Sequence, residues 1–208
     1  MGITERKEKQ KLELRRMILE ASMQLFVQEG FDNVSIRKIA DKIEYSPTTI
    51  YLYFKDKNDI LFHLCEEGFA MFSEQNQMLL NIQNPLLRLF KMGENYLDFG
   101  LKYPEYYDLM FIQSAPMQTI EELHCGDWKN GDRALETLTM ILQECMDKNL
   151  IAKADTNILA MAIWGMVHGL VSLSLRKRLD KLVTPELERQ TMQQALQWMI
   201  NAIDISTR

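Results

Sequence analysis

Residues equipped for metal or covalent chemistry are scarce in this chain, which has three cysteines and three histidines among 208 residues. Cys65, Cys125 and Cys145 are odd in number and far apart, so they spell neither a disulfide framework nor a zinc knuckle. Buried free thiols in a reducing cytoplasm are the reading they support. His63, His124 and His168 have no metal-ligand spacing to one another or to the cysteines. There is no phosphate-cradling glycine loop, and no Ser-His-Asp set can be drawn without inventing geometry. The expectation is therefore a chain with no catalytic set, no metal and no cofactor. Glycine and proline total 14, too few for long disordered linkers. No alternation of apolar and polar residues is bounded by turn signals, which argues against strands. The N-terminus places Arg6, Lys7, Lys9 and Lys11 in a mixed-charge helical pattern, unlike a signal peptide.

Charge-free runs are also rare. "ILAMAIWGMVHGLVSLSL", residues 158–175, is near the lower length limit for crossing a bilayer. A helix buried all round inside a protein or a dimer gives the same pattern. His168, Ser172, Ser174, two glycines and the lack of a second such run favour burial, so no membrane partner is expected.

What is present is helical periodicity, with legible starts. Ser46-Pro47, Asn84-Pro85 and Thr184-Pro185 each set a capping side chain before proline at the first helical position. Asp155 is a further cap, and Gly30 followed by Phe31 reads as a helix stop. Helices are expected over roughly 5–29, 36–43, 47–53, 57–80, 85–102, 105–114, 117–124, 132–149, 156–178 and 185–204, with a loop over 124–132. The net charge is −5. Residues 1–58 hold 11 Lys/Arg against 9 Asp/Glu, a balance of +2, and the remainder carries −7. A mildly basic head on an acidic body hints at an anionic partner for the head alone.

The stretch "SIRKIADKIEYSPTTIYLYFKDK", 35–57, holds two helices too short to be stable alone. Ser35 and Ser46 are caps eleven residues apart. Val34 with Ile39, and Tyr45 with Ile50, form two hydrophobic staples that fix the helix entries. Ile36, Ile39, Ala40 and Ile43 line the inside of the first helix, and Ile50 and Phe54 the inside of the second. The outward set is Pro47, Thr48, Thr49, Tyr51, Leu52 and Tyr53, then Lys55 and Lys57, with Arg37 and Lys38 from the first helix. Small residues at the start of a short rigid helix suit base edges in a major groove, while hydroxyls, ammoniums and free backbone N–H groups suit phosphates. Helix–turn–helix geometry also occurs in proteins that never touch DNA.

"RRMILEASMQLFVQEGF" and "SIRKIADKIEYSPTTIYLYFKDKNDIL" resemble the DNA-binding domain of the tetracycline-repressor (TetR) family over residues 12–61. The resemblance implies an all-α protein: a three-helix helix–turn–helix domain over 1–58 and a larger helical effector-binding and dimerisation domain over 59–208. It implies that Arg37, Pro47, Thr48, Thr49 and Leu52 face base edges and that Ser35, Tyr51, Tyr53 and Lys57 hold phosphates. It also implies that the basic arm before Leu12 reaches the adjacent minor groove. Glu44 stands where the family has glycine; a left-handed residue there costs about 1–2 kcal/mol and brings negative charge near the duplex.

"YPEYYDLMF" at 103–111 and "WGMVHGL" at 164–170 resemble a subgroup with a Trp-His-Gly signature, here interrupted as Trp164, His168 and Gly169. The family resemblance implies an effector pocket among the middle helices; Phe69, Phe72, Tyr96, Phe99, Tyr106, Met110, Trp164 and His168 are candidates for its lining. Core packing is the competing reading of the same residues. Gly165, Gly169 and Ser172 make a small-residue stripe. With Met192, Ala195, Leu196 and Met199 it is the expected homodimer face, against packing within one subunit. The function expected is a cytoplasmic, ligand-responsive repressor that releases a palindromic double-stranded DNA operator when a small apolar or amphipathic effector binds. A helical small-molecule-binding protein without a DNA role and a small-molecule enzyme are the rivals.

Overall fold

The computed structural model describes residues 2–113 and 129–206. Every named element among them is helical: α1 (Ile3–Glu29), α2 (Ile36–Lys42), α3 (Pro47–Tyr51), α4 (Lys57–Gln77), α5 (Pro85–Lys102), α6 (Pro104–Phe111), α7 (Lys129–Asp147), α8 (Thr156–Leu175) and α9 (Pro185–Ile203), with short 3₁₀ turns between some of them. The helix expected over 117–124, together with His124 and Cys125, lies outside the described residues. The loop expected to run to residue 132 is corrected at its end, because α7 already begins at Lys129.

The capping residues act as their side chains predict. Ser35 accepts from Lys38 N at 3.2 Å and Ser46 from Thr49 N at 3.2 Å. Asn84 accepts from Leu86 N and Leu87 N, and Asp155 from Asn157 N and Ile158 N. Thr184 occupies the cap position of α9 without making a cap bond. The Glu186 carboxyl is held below its ordinary range, first by a backbone N–H of its own residue and then by the Thr184 hydroxyl. Three helices end on a left-handed residue that is not glycine: Glu44 (φ 60°), Asn149 (φ 53°) and Lys177 (φ 53°). Each sits in a Schellman closure. At the first, Tyr45 N bonds Ala40 O at 3.0 Å and Glu44 N bonds Asp41 O at 3.3 Å, using carbonyls the helix end would leave bare.

The chain divides into two compact units, Met1–Gly68 with Glu105–Trp128, and Phe69–Pro104 with Lys129–Arg208. The first is built on α1, α2, α3, the start of α4 and α6. Its core joins Ile18, Phe26, Ile39, Ile50, Phe54, Leu61 and Leu109, all essentially sealed from solvent. Gly68 lets α6 come close, since a Cβ there would lie 2.9 Å from a ring carbon of Tyr106. Burial pushes the Cys65 thiol up to about 12, so it is an inert packing group.

The second unit is centred on α5, which packs against α7, α8 and α9. Gly93 lets α9 come close, since a Cβ there would lie 2.8 Å from Leu196 Cδ1. Arg88 crosses from α5 to Glu144 of α7 at 2.6 Å. The end of the chain is held by Ile205 N on Leu150 O at 2.9 Å.

Candidate nucleic-acid interface and effector site

The short helices α2 and α3 are held from below. Ile39 and Ile50 are fully buried and Phe54 nearly so. Val34 closes the first staple from inside the core, whereas Tyr45 of the second remains 45% exposed. With the inner stripe fixed, the outer face of α3 turns to solvent: Thr48 is exposed, Pro47 and Thr49 are half-buried, and Tyr51 and Leu52 are 56% and 76% exposed. Thr49 Oγ1 lies 2.9 Å from Ser46 Oγ, so that hydroxyl is partly engaged at the cap. Arg37 is exposed and its guanidinium has no hydrogen bond among the described residues. Ser35 is exposed with its oxygen occupied as a cap. Tyr53 is half-buried, its ring against the head core.

Lys57 departs from its expected role. Its ammonium donates to Phe31 O at 2.9 Å and Val34 O at 3.2 Å, and lies 4.3 Å from the Phe31 ring centroid. Those donors point into the protein, so Lys57 buttresses the turn after α1 and does not present its charge to a phosphate. Lys38 is similarly committed, to Glu29 and to Asn33 O. Lys55 is exposed, and its ammonium has no recorded partner among the described residues.

The basic arm is also corrected. Residues from Ile3 onward are the first turns of α1. A helix with side chains is about 10–12 Å across, too wide for a minor groove of roughly 6 Å. Lys7, Lys11 and Arg15, at i, i+4 and i+8, share one face of that helix, and the Arg15 guanidinium lies 5.1 Å from the Phe54 ring centroid.

The residues expected to line an effector pocket fall into two groups. Phe69, Phe72, Tyr96 and Phe99 are packed in the second unit, with Phe72 at 5.7 Å from Tyr96 and 5.6 Å from Phe99 between ring centroids. Trp164 and His168 join them through Tyr96. Trp164 Nε1 donates to Tyr96 Oη at 3.2 Å, and that oxygen lies 3.2 Å from His168 Nδ1. An indole can only donate, so a Tyr96 O–H passed on to a neutral His168 satisfies all three groups. Burial, with Arg176 second, holds His168 below the usual imidazole range, as that polarity requires. Tyr106 and Met110 belong to the first unit. Burial first, then the Glu67 carboxylate, raises the Tyr106 phenol.

Space is found where no residue was expected to make it. A small cleft, partly open to solvent, is lined by Ser73, Asn76, Gln77, Leu80, Arg133 and Thr137. Four polar residues and an arginine look like a solvated face in sequence, which is why they carried no signal.

The expected dimer face is partly corrected. Met192 and Leu196 are buried within the chain, because Gly93 lets Leu196 settle onto α5. Ala195 and Met199 are half-buried. Gly165, Gly169 and Ser172 do lie on an open stripe, and a Cβ on either glycine would meet nothing within 4 Å. Ile158 and Met161 extend that stripe, each more than 60% exposed, and Trp198 of α9 is 73% exposed. α8 is long and apolar enough to cross a bilayer by length and composition, with a mean hydropathy of 1.9 over its most apolar stretch, and little of it is buried within this chain.

Comparison with known proteins follows this geometry. The family description "Bacterial regulatory proteins, tetR family" matches residues 18–64, and "Tetracyclin repressor-like, C-terminal domain" matches residues 89–202. An HTH-type transcriptional regulator of Staphylococcus aureus (strain MSSA476) is 33% identical over 188 residues, covering 85% of this chain and 96% of that one. A second Staphylococcus aureus HTH-type transcriptional regulator (strain bovine RF122 / ET3-1) is 29% identical over 89 residues; that match covers 43% of this chain and about half, 48%, of the relative. Among solved structures, AibR in complex with isovaleryl coenzyme A and operator DNA has a TM-score of 0.66 at 17% identity, covering 91% of this chain and 97% of that one. Neither family description names the Trp-His-Gly subgroup, which rests on the resemblance at 103–111 and 164–170.

Proposed function

The chain belongs to the tetR family of bacterial regulatory proteins, and from that premise we propose that a small apolar or amphipathic effector, bound in the helical body, releases the protein from a palindromic operator. It is a DNA-binding transcriptional regulator that acts as a homodimer. The observation that carries the reading is the two-sidedness of α3: Ile50 is fully buried while Thr48, Tyr51 and Leu52 stand clear of the fold. A helix presented in this way enters a major groove, with Arg37, Pro47, Thr48, Thr49 and Leu52 at base edges. Ser35, Tyr51, Tyr53 and Lys55 flank it and hold phosphates. Two such heads related by a two-fold axis fit half-sites roughly 34–36 Å apart, or a variation on that spacing.

The body carries the effector, and α4, one helix from Lys57 to Gln77, carries its signal. Effector binding shifts the dimer between two arrangements of the heads. A coupling of about 1–3 kcal/mol changes operator affinity by roughly 5- to 150-fold. The AibR complex, which holds an acyl thioester and operator DNA together on this fold, supports the pairing of the two ligands. The named relatives are transcriptional regulators, which supports a non-enzymatic, cytoplasmic protein.

The test is retention of the DNA upstream of the chain's own gene. The intact protein should hold that fragment selectively over a scrambled one of equal length. Replacing Thr48 or Arg37 by alanine should erode the selectivity by about 1–3 kcal/mol at the contacted position. Selectivity unchanged in both variants sinks the assignment of α3 as the reading helix.

A further inference from the structure

The reading helix has little with which to hydrogen-bond a base pair. From Ser46 to Phe54 the sequence is "SPTTIYLYF", without one charged or amide side chain. Guanine is taken by arginine or lysine, adenine by asparagine or glutamine, and the amino group of cytosine by a carboxylate. None of these side chains is present in that stretch. Its hydroxyls are also partly spent. Ser46 Oγ accepts from Thr49 N at 3.2 Å and lies 2.9 Å from Thr49 Oγ1, so those two oxygens serve the cap and each other.

What α3 offers is carbon. Ile50 is fully buried, and Thr48 and Leu52, four residues apart, lie on the opposite side of the helix. Leu52 keeps helical backbone angles, φ −75° and ψ −16°, so the face continues through it. Its side chain is 76% exposed, and Tyr51 beside it is 56% exposed. A single exposed leucine is ordinary, but this one stands at the middle of the surface that α3 turns outward. In a major groove, the base-pair feature that an apolar side chain recognises is the 5-methyl group of thymine. Arg37 of α2 differs in kind. Its guanidinium has no hydrogen bond among the described residues and can take a guanine, whereas the neighbouring Lys38 is committed to Glu29 and Asn33 O.

We propose that α3 selects its operator through thymine methyl groups. The base pairs beneath Thr48 and Leu52 are A·T, Leu52 packs on the methyls they present, and a G·C pair under Arg37 supplies the hydrogen-bonded contact of the half-site. This deepens the assignment of α3 as the reading helix and rests on it. Each methyl buried against Leu52 contributes about fourfold in affinity. Selectivity is therefore spread over several small apolar contacts.

The experiment enriches binding duplexes from a randomised pool with the full chain. Repeating the enrichment with Leu52→Ala locates the pairs under α3, as those whose preference is lost. The enriched site is then remade with deoxyuridine for thymidine at one position at a time, which keeps every hydrogen-bonding group and removes only the methyl. The pairs located by Leu52→Ala should be A·T. Deoxyuridine there should weaken binding about fourfold per methyl, read by fluorescence anisotropy. Leu52→Ala should bind the thymidine and deoxyuridine duplexes equally, with Tm unchanged because the side chain is exposed. Arg37→Ala should relax preference at a G·C pair and leave the deoxyuridine penalty intact. The methyl reading is overturned by G·C at the pairs located by Leu52→Ala, by deoxyuridine tolerated at every position, or by a penalty that persists in Leu52→Ala. Failure of the reading helix itself looks different. Either no sequence is enriched, or the enriched sequence is bound unchanged by Thr48→Ala, Leu52→Ala and Arg37→Ala, and then both assignments fall.

Discussion

Glu44 occupies a backbone position that favours glycine, with φ 60° at the turn between α2 and α3. Glu44→Gly should stabilise the protein by about 1 kcal/mol, which for a chain of this size is roughly 2–4 °C in Tm by differential scanning calorimetry. Because the change also removes a carboxylate beside the expected path of the duplex, operator affinity should rise. His168 gives a second prediction at this scale. Its pKa is lowered, by burial and then by Arg176. Below about pH 6.5 the unfolded chain therefore binds more protons than the folded one. The stability it contributes is fully present above about pH 6.5 and is lost as pH falls through its folded-state value. His168→Gln should therefore flatten the decline of Tm between about pH 7 and about pH 5. Unequal legibility also begins with single residues. Ile50 and Phe54 were readable because their spacing of four is local. The inward turn of Lys57 was not, since Phe31 and Val34, whose carbonyls it meets, lie more than twenty residues earlier.

At the scale of elements, the contrast between Lys55 and Lys57 separates scaffold from interface. Lys57→Ala removes charge-assisted bonds under the turn after α1 and should cost about 2 kcal/mol of stability, read by urea unfolding. Lys55→Ala should leave that unfolding curve in place. It should instead weaken DNA binding for every sequence and reduce the slope of log affinity against log salt by about one. Helix positions were largely legible, because capping side chains and prolines act within one turn. The helical character of residues 5–11 was legible too, in their mixed-charge pattern; what fails there is the basic arm that the family resemblance implied, because those residues are the first turns of α1. Met192 and Leu196 were set on the outer face by periodicity alone. The glycine that draws α9 inward, Gly93, lies about a hundred residues away on another helix, so the sequence of α9 could not reveal it.

For the whole molecule, the open stripe of α8 is the proposed dimer face, and assembly tests it. Met161→Asp places a charge at its centre, and burying it unpaired in a dimer would cost on the order of 3–5 kcal/mol. Light scattering should then give the mass of one protomer. Binding to a full palindrome should fall to the level of a single half-site, with far-ultraviolet circular dichroism unchanged. The aromatic cluster of Phe72, Tyr96 and Phe99 was legible as a group, though not as either core or pocket. The cleft at Ser73, Asn76 and Arg133 escaped notice because polar residues on helices read as a solvated face.

The bare apolar side of α8, with Ile158 and Met161 uncovered, also bears on inheritance. A protomer that needs a second copy to hide it will pair with whatever copy is being made, intact or damaged. An allele with a broken α3 but a sound α8 would therefore draw good subunits into dead pairs. Repression should fail in a cell carrying both alleles, and raising the intact allele's dosage should restore it.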